Sequence, residues 1–212
     1  MAQNLDLSAI FSTVTDQLSQ KKDSLNEADG YNHDHGDHMV QIFDLVQKAV
    51  AKKKDQPVAD QLEYASQTVS EKAESGSAKL YAEGLSNAAK QFSGSELNAG
   101  NIGTLVQSLM GAEKPQVTEK PKKSKGLLGS LLSGLTGQSK TESSEENSLG
   151  VDDLLRAGMA FYQSKQEGDQ TTSALMDALM AASPMGESAH RSQSGTIVAS
   201  TIMDYVKGLK NK

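Results

Sequence analysis

Residues 24–39 read SLNEADGYNHDHGDHM, and they hold three of the chain's four histidines, His33, His35 and His38. Four acidic residues, Glu27, Asp29, Asp34 and Asp37, stand among them. Oxygen donors such as Asn26, Asn32 and Asp34 suit Mg²⁺, a hard ion that keeps waters for a phosphate partner. Imidazoles instead suit Zn²⁺ or another transition metal. His33, His35 and His38 would serve that ion if they converged, with Asp37 as a further carboxylate. Consecutive loop residues need not point the same way. By composition alone the stretch is a metal site or a solvated polar loop, and both readings stay open.

A second stretch, Ser75-Gly76-Ser77-Ala78-Lys79-Leu80-Tyr81, opens a helical pattern. A helix N-terminus offers free N–H groups and the positive end of a dipole to a phosphate, and Ser75 and Ser77 can donate from the same turn. Taken alone, a Ser/Gly helix start is more often an ordinary cap.

These residues must be carried by helices. Apolar positions recur at helical spacing in eight stripes, and no strand alternation is evident. The stripes predict helices near 5–21, 37–53, 57–72, 78–93, 97–110, 150–166, 170–182 and 193–209. Leu7, Ile10, Phe11, Val14 and Leu18 form the first, and Met39, Ile42, Phe43, Val46 and Val50 the second. Pro57 opens the third at a first helical position, and Gly94 closes the fourth. Short loops between amphipathic helices imply an all-α antiparallel bundle in a single domain spanning 1–212.

Residues 112–148 interrupt the order. A Pro/Lys-rich run and a Ser/Glu-rich run read as flexible insertion between the fifth and sixth helices. Between them, GLLGSLLSGL at 126–135 follows Lys120, Lys122, Lys123 and Lys125. Basic residues beside a short apolar segment are a pattern of membrane surfaces, so 120–135 is a candidate for weak membrane or partner contact.

Composition narrows the classes. The chain has 212 residues and a formal net charge of −6, which argues against broad nucleic-acid binding. It has no Cys, which removes disulfides, thiolate metal sites and cysteine nucleophiles. The start, MAQNLDLSAIFSTV, has no basic n-region, and no apolar run reaches transmembrane length, so a cytoplasmic soluble protein is expected.

The spacing in the acidic stretch resembles a known family. Leu25-Asn26, then Asn32-His33-Asp34-His35-Gly36, then Met39, is similar to the metal loop of the dihydroxyacetone kinase nucleotide-binding family, which includes the DhaL subunit and the nucleotide domain of fatty acid kinases. The family pattern is an Asp or Asn, then Asp-x-Asp-[His/Thr]-Gly-x-x-Met. Ser75–Tyr81 resembles the family's Gly-[Ala/Ser]-Ser-Gly-Pro-Leu-Tyr. Ala182-Ser183-Pro184-Met185-Gly186-Glu187-Ser188 resembles its Arg-Ala-Ser-Tyr-Leu-Gly-Glu-Arg, followed by His190 and Ser194-Gly195-Thr196 before the last helix. The resemblance implies a closed bundle of eight antiparallel helices with Mg-ADP or Mg-ATP held in loops at one end. It implies metal contacts at Asn26, Asn32 and Asp34, and nucleotide contacts at Ser75, Gly76, Ser77, Leu80, Ser183, Gly186 and Glu187; His35, Asp37 and His38 are further candidate metal ligands that could restore affinity, for Mg²⁺ or a different ion. In that family the phosphoryl acceptor is held on a separate subunit or domain.

This chain also departs from the family pattern. Asn32 and Asn26 carry amides where carboxylates are expected, Ala78 and Lys79 replace Gly-Pro, Asp152 and Asp153 stand where Lys and Thr are expected, and Ala181 replaces an Arg. The expectation is therefore a divergent member that keeps metal binding, with phosphotransferase activity weak or absent. The alternative is a non-catalytic metal- or partner-binding helical module. The sequence singles out no catalytic residue.

Overall fold

The computed structural model describes residues 5–111 and 183–210. Among the described residues the fold is all-helical, with six α-helices, one short 3-10 turn and no strand. The helices are α1 (Leu7–Ala28), α2 (His35–Lys52), α3 (Val58–Lys72), α4 (Gly76–Gln91), α5 (Ile102–Leu109) and α6 (Ala189–Lys210), and the 3-10 turn is Pro184–Glu187. The sixth and seventh sequence-expected helices, the insertion at 112–148 and its segment 120–135 lie outside the described residues.

Side chains and a glycine mark several of the helix ends. The Asp6 carboxylate accepts from the N–H groups of Ser8 (2.8 Å) and Ala9 (3.4 Å), capping α1. Ser75 caps α4 by accepting from the Ala78 N–H at 3.1 Å. Past α4, Gly94 at φ +72° turns the chain, a conformation that costs a glycine little. Ahead of α5 the Asn101 side chain knots the loop, donating to the Glu96 carbonyl and accepting from the Asn98 N–H, both at 2.8 Å.

The helices pack in chain order, α1 on α2, α2 on α3, α3 on α4 and α4 on α5, and α6 lies against both α1 and α5 to complete the ring. The core inside it includes Phe11, Leu25, Phe43, Leu62, Tyr81, Leu85 and Leu105. Phe43 sits at its centre, 6.2 Å from the Phe11 ring and 4.9 Å from that of Tyr81, edge-on to the latter. Burial pushes the Tyr81 phenol well above its ordinary range, and its hydroxyl has no hydrogen-bond partner among the described residues. Ser66 ties α3 to α4 by donating to the Ala82 carbonyl at 2.7 Å.

Short links reverse the chain between α1, α2, α3 and α4. The N-termini of α2 and α4 therefore lie at one end of the ring, with the C-terminus of α1. The start of α6 is there too, because Ser194 meets His35.

The larger differences from the sequence reading lie at both ends. At the far end α5 starts at Ile102, not near 97, because the Asn98 and Asn101 side chains bond the 96–101 backbone into a loop. At the end just described, α1, α2 and α6 also differ. Helix α1 runs seven residues past the expected 21, because Leu25 re-enters the core one heptad after Leu18, past the charged run Lys21-Lys22-Asp23. Asn26 is therefore helical. Helix α2 starts at His35, not 37, and α6 at Ala189, not 193, so His35, Gly36 and residues 189–192 are helical as well.

Candidate functional site

The loop of residues 29–34 is held by its own hydrogen bonds. The Asp29 carboxylate accepts from the Tyr31 N–H at 3.1 Å, an Asx-type turn. His33 has φ 57°, unusual for a residue with a side chain. Its Nδ1 lies 3.2 Å from the Asn26 carbonyl, which also accepts from the Asp29 N–H at 3.2 Å at the end of α1. Asn26 does the most. Its Oδ1 accepts from the N–H of Gly36 (2.6 Å) and of Asp37 (3.3 Å), and its Nδ2 donates to Asp37 Oδ2 at 2.8 Å. The end of one helix thus caps the start of the next. Gly36 is required here, because a Cβ would stand 2.1 Å from the Lys22 carbonyl oxygen.

Between this loop and the starts of α4 and α6 lies a cleft of about 310 Å³. The loop lines it with Asp29, Tyr31, Asn32, Asp34, His35 and His38, α4 with Ser75, Gly76 and Ser77, and α6 with His190 and Arg191. The structure thus brings Asn32, Asp34, His35, His38 and Ser75–Ser77 onto one surface. Other sequence candidates fall elsewhere. Asn26 and Asp37 serve the α1–α2 junction, where Asp37 also pairs with Lys22 at 3.1 Å. The Asn26 and Lys22 bonds hold the Asp37 carboxyl below its usual range. Leu80 packs on the core, Ser183 is buried, Gly186 is exposed in the 3-10 turn, and Glu187 closes that turn.

The cleft floor is a cluster of titratable side chains. His35 is buried, with Nε2 2.9 Å from Ser194 Oγ. The Ser194 hydroxyl donates to the Arg191 carbonyl at 3.0 Å, so the proton shared with His35 resides on the imidazole Nε2. The His190 ring stands edge-on to His35, with centroids 4.6 Å apart. Burial, then the neighbouring His190, lowers the His35 pKa to about 4 against the pull of Asp29. His190 lies 3.9 Å from Asp29 through Nδ1 and 3.3 Å from Ser188 Oγ through Nε2. Burial alone would raise the Asp29 carboxyl, but the Tyr31 N–H, His190 and the Asp34 N–H outweigh it and leave it below its usual range. Asp34 pairs with His38 at 3.1 Å.

Arg191 stands apart. Its Nη2 lies against α4, 2.7 Å from where a Gly76 Cβ would be. Among the described residues its buried Nε has no hydrogen-bond partner and no carboxylate pairs with it. Sequence reading missed this residue, along with Asp29 and Tyr31. A signal existed, because a cation in the first turn of a helix opposes the dipole. It becomes visible only once the helix is known to begin at Ala189.

The fit to a metal can be tested on the donors. Among the described residues no three His, Asp or Glu side chains are grouped closely enough to hold an ion by themselves. The three imidazoles of the loop have separate partners, the Asn26 carbonyl for His33, Ser194 for His35 and Asp34 for His38. Asp34 and Asn32 both line the cleft, and Asp34 keeps a second carboxylate oxygen beyond the one paired with His38. That arrangement suits Mg²⁺ held by one or two protein oxygens plus phosphate and water, not an all-protein cage. No family model, no curated protein and no solved structure matches this chain.

Proposed function

We propose that this chain is a divergent DhaL-like domain that binds a magnesium nucleotide, ADP or ATP, in the cleft between the 29–34 loop and the starts of α4 and α6. One observation carries the reading. Asn32 and Asp34, and with them Ser75–Ser77, were singled out from motifs about forty residues apart, and they line one cleft.

The residues divide the work by chemistry. The α4 N-terminus presents the Gly76 and Ser77 N–H groups to an anion. The Ser75 oxygen accepts from the Ala78 N–H, which leaves its proton free to donate outward. Asp34 and Asn32 are the oxygen donors that would hold Mg²⁺, which when bound neutralises phosphate charge. Phosphoryl transfer in such a site rests on positioning and charge neutralisation. An acceptor held on a separate protein is what the family resemblance implies. Activity is expected to be weak, because amides replace carboxylates at Asn26 and Asn32 and Asn26 is committed to capping α2. Zn²⁺ is the less suitable ion, given the separate imidazole partners. No described helix is long and apolar enough to cross a membrane.

Isothermal titration with Mg-ADP and Mg-ATP tests the reading, with Mn²⁺ as a paramagnetic stand-in for Mg²⁺. Saturable binding that Asp34→Ala abolishes is the expected result. Metal or partner binding with no nucleotide binding would favour the non-catalytic module instead.

A further inference from the structure

Arg191 combines features that together call for an anion. It is a permanent cation in the first turn of α6, pressed against the first turn of α4 at Gly76. Two helix N-termini therefore face a charge of their own sign. Among the described residues the buried Nε has no partner and no carboxylate offsets the guanidinium. Its neighbours His35 and His190 add no compensation. The guanidinium also lines the same cleft wall as Ser75, Gly76 and Ser77.

We infer that Arg191, together with the Gly76 and Ser77 N–H groups and the Ser75 hydroxyl, forms a phosphate-holding subsite on the α4–α6 wall of the cleft. A guanidinium matches phosphate through two parallel N–H···O bonds. The helix N-terminus supplies main-chain donors from the other side. The group held is a terminal phosphate of a nucleotide or a free phosphate or pyrophosphate. This deepens the nucleotide reading and rests on it only for what the phosphate is attached to. The subsite also gives the chain a cation in the cleft, where the Lys and Arg expected from the family pattern are absent at 152–153 and 181.

Gly76 supplies a second handle. A Cβ there meets only the far end of the Arg191 side chain, so Gly76→Ala displaces the guanidinium without disturbing backbone. The test titrates Mg-ADP, pyrophosphate and adenosine into the full chain and into Arg191→Ala, Arg191→Lys and Gly76→Ala, with circular dichroism melts to confirm folding. Arg191→Ala should weaken Mg-ADP and pyrophosphate about 10–100-fold, the scale of one charged hydrogen bond, and leave adenosine unchanged. Arg191→Lys should fall between, as a point charge without the fork. Gly76→Ala should follow Arg191→Ala, and it carries the test if Arg191→Ala fails to fold. Undiminished Mg-ADP binding in these variants overturns the subsite and leaves the nucleotide reading intact. Arg191-dependent pyrophosphate binding without Mg-ADP binding keeps the subsite and removes the nucleotide. Binding of neither by the unmodified chain overturns both.

Discussion

Gly36→Ala tests whether the cleft depends on the close junction of α1 and α2. A Cβ at Gly36 would stand 2.1 Å from the Lys22 carbonyl oxygen and 2.8 Å from Asn26 Oδ1. Both are fixed, one as backbone and the other as the cap of α2. Ordinary carbon–oxygen contact needs about an ångström more, so the helices must separate or α2 must lose its cap. Overpacking of this kind costs about 1–3 kcal/mol. A disturbed cap adds about 1 kcal/mol. Alanine returns about 1 kcal/mol through better helix propensity. The net is a loss of about 1–3 kcal/mol, or roughly 2–12 °C in Tm for a chain of this length. Urea denaturation followed by circular dichroism reads it as a lower midpoint at unchanged slope. Gly208→Ala is the internal control. It lies in a helix with nothing within 4 Å of its Cβ, so propensity alone acts and stability rises by up to about 1 kcal/mol. If Gly36→Ala matched Gly208→Ala, the junction would not be tight and the argument for how Asn26 is used would fail. The same variant should weaken Mg-ADP binding, because it moves the α2 end that carries Asp34.

Three further outcomes are expected. The folded His35 pKa of about 4 lies below its usual 6.5, so its contribution is complete above pH 6.5 and is lost as pH falls towards 4, at most about 3 kcal/mol; urea midpoints at pH 7 and 4.5 should show this slope, reduced in His35→Gln, and equal slopes in both proteins would refute it. Tyr81→Phe should be neutral or stabilising by up to about 1 kcal/mol, because it removes a buried hydroxyl without a partner, and a loss of stability in thermal melts would reveal a partner the described residues do not supply. Leu25→Ala should cost about 2–5 kcal/mol by calorimetry, since the side chain is 0% exposed, and a surface-like cost would show that the last turns of α1 are not anchored in the core.

Most of the helical framework was legible because a buried stripe repeats over several turns and tolerates one misread position. Spacing alone puts Phe11, Leu18 and Phe43 on inward faces, and each is buried. The helix ends at the cleft were not legible, for a physical reason. Lys21-Lys22-Asp23 breaks the apolar pattern of α1 although Leu25 restores it, and Asp-His-Gly reads as loop although His35 and Gly36 are helical. Polar residues gathered for a site mask the periodicity that would mark the helix beneath them. The cleft could be foreseen through Asn32, Asp34 and Ser75–Ser77, whose types suggest oxygen ligation and phosphate binding. The diversion of Asn26 and Asp37 into capping could not be foreseen, because it depends on the close approach at Gly36. Arg191 was hidden by the same late assignment of its helix.

The cleft wall made by the start of α4 has a further consequence. Its Gly76 and Ser77 donors are main-chain N–H groups, which every residue type except proline carries. Substitution can therefore change much of the surrounding side-chain chemistry before this part of the surface loses its attraction for anions.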